Sequence, residues 1–116
     1  MSLAVLDGGT YFHHAAIYGA RYRDLFDRAI YAPEFAPEHL EGIKLLIVPD
    51  RINPDLLRAR RQILIDFAER GGTLVVLGEN QADTWLPGVK WTFRPTNFWW
   101  WLEKDARPEQ RLVAPD

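Results

Sequence analysis

The sequence predicts one α/β domain built on a mainly parallel sheet. Three observations carry this. The short apolar runs Leu3–Leu6, Ile43–Val48 and Thr73–Leu77 each end at turn residues, as buried strands do. A well-signalled helix separates the second run from the third. Only short links join these pieces. Strand, helix and strand in that order make βαβ units with right-handed crossovers. The length of 116 residues suits a single domain.

The elements follow in chain order. Leu3-Ala4-Val5-Leu6 ends at Asp7-Gly8-Gly9. Thr10 to about Arg28 reads as a loop leading into a helix, with Tyr18, Tyr22, Leu25, Phe26 and Ala29 at helical spacing and Gly19 weakening its front half. Ala29-Ile30-Tyr31 is a candidate second strand, cut off by Pro33 and Pro37, and Pro37–Leu40 has room for one helical turn. Ile43–Val48 is the clearest strand, since a β-branched, nearly all-apolar run suits a parallel strand covered on both faces. It ends at Pro49-Asp50-Arg51. Asn53-Pro54-Asp55 then supplies an N-cap, a proline for the first turn and an early acid. That helix runs to about Arg70 and stops at Gly71-Gly72. Thr73–Leu77 ends at Gly78-Glu79-Asn80. The three apolar runs are expected to be parallel and central in the sheet.

Beyond residue 80 the chain changes character. All five tryptophans lie between Trp85 and Trp101. Val89, Trp91 and Phe93 alternate with Lys90, Thr92 and Arg94, a period-two strand signal, until Pro95 breaks it. Phe98–Leu102 reads equally as strand or helical turn. The expected organisation is a core over about 3–80, a Trp-rich flap or extension over 81–102 and a tail over 103–116. Trp85, Trp91 and at least one of Trp99, Trp100 and Trp101 are expected to be buried, in a flap or a subunit interface. Trp91, Trp99, Trp100 and Trp101 are the candidate surface for a second copy or a protein partner, because aromatics are enriched at interface cores. Stacking on a sugar is the weakest reading of the cluster.

Composition excludes several functions. Lys and Arg total 14 against 16 Asp and Glu, so the net charge of −2 lacks the basic footprint of a nucleic-acid binder. No apolar run reaches the roughly 20 residues of a membrane span. Neither nucleic acid nor membrane is an expected partner. There is no cysteine, which excludes disulfides, cysteine zinc sites and thiol nucleophiles. With no signal peptide visible at Met1-Ser2-Leu3, the expected location is cytoplasmic.

In an open parallel sheet, ligands bind beyond the carboxyl ends of the strands. Asp7, Asp50 and Glu79 all fall there, as low-weight catalytic candidates. Set in one row they could hold a hard cation or keep a carboxyl protonated. The favoured reading is that each acid caps a turn or pairs with an arginine, and no metal or cofactor is expected. Gly8, Gly9, His13, Arg51 and Asn80 complete the candidate ligand-binding set. His13 and His14 are adjacent, so they cannot act as a helical metal pair, and a hydrogen-bonded or solvent-facing histidine is favoured. His39 offers nothing specific. Ser2 is the only serine, and no phosphate-binding glycine motif occurs. At about 100° per residue, Arg60 falls in the middle of the stripe made by Leu56, Leu57, Ile63, Leu64 and Phe67. Its guanidinium therefore needs a carboxylate from another segment, or, as second choice, backbone carbonyls.

Ile43–Arg51, the helix with Leu56, Leu57, Ile63, Leu64 and Phe67, and Glu69-Arg-Gly-Gly-Thr-Leu-Val-Val-Leu-Gly78 together resemble the class I glutamine amidotransferase-like superfamily. The noncatalytic branches are nearest, including trehalose-utilisation-like proteins and the trimerisation domain of some beta-galactosidases. The resemblance spans about residues 3–80 and implies a flavodoxin-like, three-layer, doubly wound sheet. In active members a Gly-x-Cys-x-Gly elbow carries the nucleophile. Here Gly78 matches the first glycine, Asn80 stands at the cysteine position and Ala82 at the second glycine. The later His-x-Glu pair is missing too. Active members are longer, so the chain corresponds to a short member or the first part of a larger one. The resemblance thus implies a noncatalytic domain that binds a partner or small ligand, without glutaminase activity. Two alternatives stand beside it. One is a hydrolase or carbohydrate-active enzyme using the acids at the strand ends. The other is a receiver-like phosphoacceptor with Asp50 as the acceptor, although Gly8 follows Asp7 where a second acid belongs.

Overall fold

The computed structural model describes residues 2–92 and Leu102. The readings for Phe93 to Trp101 and for the tail, including Trp99, Trp100 and Trp101, lie outside the described residues. Strands are β1 (Leu3–Asp7), β2 (Arg28–Tyr31), β3 (Leu45–Val48) and β4 (Thr73–Val76); helices are α1 (Tyr11–Tyr18), α2 (Pro54–Ala59) and α3 (Arg61–Glu69). Single 3-10 turns lie at Arg23–Leu25, Ala32–Glu34, Pro37–Leu40 and Ala82–Thr84.

The sheet is all parallel, in the order β2-β1-β3-β4. This is the flavodoxin-like order through its fourth strand. From β1 the chain steps one way to β2, and from β3 it steps the other way to β4. Right-handed crossovers therefore place α1 on one face and α2 with α3 on the other. Register makes the second face apolar except at its edge, where Arg28 lies beside Ala4. Ala4 pairs with Leu46 and Leu46 with Leu74, Val48 pairs with Val76, and Leu6 with Ile30. Leu57, Leu64 and Phe67 pack with these residues, and Phe35, Leu40, Ile52 and Trp85 complete the core. On the opposite face α1 lies against β1 and buries Ile17 and His13.

Four expectations need correction. β4 is an edge strand among the described residues, not a central one, and its apolar side chains are only half-buried. An apolar run reports burial by helices above and below as readily as a neighbour on each side. The segment after Thr10 does not stay helical to Arg28. Tyr18 is the last residue of α1, and Gly19 takes an extended conformation while its N–H closes on the Ala15 carbonyl. The helix read over 54–70 breaks at Arg60, whose φ of −114° and ψ of 15° leave the helical range. Residues 89–92 form no strand, and Trp91 is 44% exposed rather than buried. Alternation alone does not supply the partner edge a strand requires. Trp85, by contrast, is 2% exposed, as expected.

Candidate functional site

The loops after β1, β3 and β4, with the first turn of α1, carry the candidate catalytic and ligand-binding residues. The hairpin-tight turn after β1 sets the first group. The Asp7 side chain, buried at the strand end, accepts the Gly9 N–H at 2.9 Å through Oδ1 and the Tyr18 hydroxyl at 3.1 Å through Oδ2. Partial desolvation of the Tyr18 phenol, its hydrogen bond to Asp7 and the Asp7 charge all push its pKa above the ordinary tyrosine value, although the residue is 45% exposed. Thr10 then caps α1 by accepting the His13 N–H.

His13 projects from the first turn of α1 into the gap between the β1 and β3 loops. The Gly8 N–H donates to its Nδ1 at 3.2 Å, and its Nε2 lies 2.6 Å from the Asp50 carbonyl oxygen. With Nδ1 accepting, Nε2 carries the hydrogen and donates. The ring thus staples two loops that lie side by side at the point where the strand order reverses. Gly8 has to be glycine for this. A Cβ there would lie 2.7 Å from His13 Nδ1.

The loops after β3 and β4 interlock in the same way. Asp50 Oδ1 accepts the Glu79 N–H at 2.6 Å and rests against Gly78, where a Cβ would come within 2.2 Å of it and φ is +65°. Arg51, exposed and at φ 61°, pairs with Asp50 at 3.7 Å. Asn80 is 1% exposed and fully used. Its Oδ1 accepts the Ile52 N–H at 2.8 Å, and its Nδ2 donates to the carbonyls of Pro49 at 2.6 Å and Leu77 at 3.0 Å. Trp85 Nε1 closes the arrangement by donating to the Asn80 carbonyl at 2.8 Å.

Each candidate acid or amide is therefore placed at the strand ends, but not in a convergent group. Asp7 serves the β1 turn and Asp50 serves the β4 loop, while the Glu79 side chain is exposed. Among the described residues no three His, Asp or Glu side chains come together as a metal site. No described helix is long and apolar enough to cross a membrane. Gly9 and Arg51 remain open to solvent, whereas His13 and Asn80 are committed to the backbone. Sequence reasoning missed two contributors. Tyr18 was read as one position of a helix face, and Trp85 as flap, because nothing local announces their partners Asp7 and Asn80.

A second concavity lies away from these loops. It is an open cavity of about 330 Å³ between the start of α3 and the segment 83–87. No known protein family, curated protein or solved structure matches the chain.

Proposed function

We propose that this chain is a noncatalytic amidotransferase-like domain that binds a protein partner or a small ligand and has no glutaminase activity. One observation carries the reading. Asn80, at the position the resemblance gives to the nucleophile, is buried and spends both side-chain polar atoms on backbone partners. An amide so placed is no nucleophile and is held away from solvent and any substrate. The use of Asp7 and Asp50 as backbone acceptors supports the same reading over an acid-dependent hydrolase. A self-association face that includes the half-exposed Trp91 belongs to this proposal, as does a cytoplasmic location. Incubation with glutamine and an ammonia readout tests it. No release above the buffer rate is expected, and release that disappears in Asn80→Ala would overturn the proposal.

A further inference from the structure

The cavity between α3 and the segment 83–87 pairs opposite charges that do not meet. Arg61 lines it from α3 and Asp83 from the facing turn. Their polar neighbours are already engaged. Arg58 bonds to Asp55, Gln81 and Thr84, and the Gln62 amide donates to Asp66. Among the described residues, the Arg61 guanidinium and the Asp83 carboxylate form no ion pair and no hydrogen bond, either with each other or with another group. The half-buried Ile65 and Leu86 and the edge of the buried Trp85 also line it. The volume of 330 Å³ sits at the small end of ligand pockets.

The geometry points to a binding site for a small zwitterion, an α-amino acid with an apolar side chain. Its carboxylate would face Arg61, a planar donor suited to two parallel hydrogen bonds. Its ammonium would face Asp83, and its side chain would lie against Ile65 and Leu86. A ligand with only one charge leaves the other protein charge without its partner, so both arms are required for selectivity. This inference rests on the small-ligand form of the function proposed above and names its ligand class.

The test is a titration of the full chain with L-leucine, followed through its backbone amide and Trp85 indole NMR signals. Acetate and propylamine serve as single-charge probes. The expected result is saturable shifts at Arg61, Gln62 and residues 83–87, with either single-charge probe weaker by at least about tenfold. Arg61→Met and Asp83→Asn, both at exposed positions, are each expected to weaken leucine by about tenfold while leaving the remaining spectrum unchanged. Absence of saturable shifts overturns the inference. So does equal binding of acetate, or leucine binding that survives both substitutions. The ammonia assay separates this from the parent reading. Failed leucine binding without ammonia release removes only the ligand assignment, whereas ammonia release removes the noncatalytic reading whatever leucine does.

Discussion

Asn80 Oδ1 accepts the Ile52 N–H at 2.8 Å, and both residues are 1% exposed. The bond joins the loop after β3 to the loop after β4 across 28 residues of sequence. Because the same side chain also donates to Pro49 and Leu77, one residue satisfies one backbone N–H and two carbonyls at the strand ends.

Asn80→Ala leaves those buried groups without partners. The expected loss is about 3 kcal/mol of stability, since each unsatisfied buried group costs roughly 1–3 kcal/mol. Asn80→Asp keeps the acceptor for Ile52 but sets a carboxylate against two carbonyl oxygens, and is expected to cost more. Urea denaturation measures both. A loss below about 1 kcal/mol in the alanine variant would show that the loops hold without this residue.

Arg60 sits at the junction of α2 and α3 and takes the second of its two expected kinds of partner. Nε donates to the Phe35 carbonyl at 3.3 Å and Nη2 to the Pro33 carbonyl at 2.5 Å, so no carboxylate is involved. A carboxylate partner would be stranded as a buried charge by Arg60→Ala, at about 3 kcal/mol or more, whereas carbonyls carry no charge to strand. Arg60→Ala should cost about 1.5–3 kcal/mol, the range for hydrogen bonds to a charged group. Arg60→Met keeps most of the stem and should cost less. Equal losses in the two variants, read by the same denaturation, would assign the whole effect to the guanidinium.

Tyr18 links stability to alkaline pH through its contact with Asp7. Its folded pKa lies above the ordinary value because burial, the bond to Asp7 and the Asp7 charge all favour the neutral phenol. A raised pKa contributes stability that is fully present below the unfolded value of about 10 and is lost as pH rises through the folded one. Ultraviolet titration of the native protein should show a late-ionising phenolate component that Tyr18→Phe removes. Tyr18→Phe should flatten the fall of stability above pH about 10. An unchanged slope would place the alkaline loss elsewhere.

Much of the fold is legible in the sequence, and the reason differs by element. The start of α2 at Asn53 is local. The Asn53 side chain accepts the Asp55 N–H two residues on, as its N-cap reading requires. The stop after α3 is equally local, with Gly71 at φ 100°. The α1 boundary was hinted at by Gly19, but the apolar spacing of Tyr22, Leu25 and Phe26 outweighed it. Those residues instead lead through a 3-10 turn into β2. At the candidate site, the positions of Asp7, Asp50 and Asn80 at strand ends were legible. Their engagement with backbone groups was not, because each partner lies on a turn whose geometry is set by the sheet.

The sequence by itself determined the parallel βαβ plan and where α2 begins and α3 ends. Those outcomes depend on hydrophobic runs, caps and glycines within a few residues of one another. Only the tertiary structure decided that His13 meets the Asp50 carbonyl 37 residues away, that the helix over 54–70 breaks at Arg60, and that β4 takes an edge. Each depends on which strands become neighbours. Strand order brings distant loops to within hydrogen-bonding reach, and there a polar group must find a partner or bear the cost of burial.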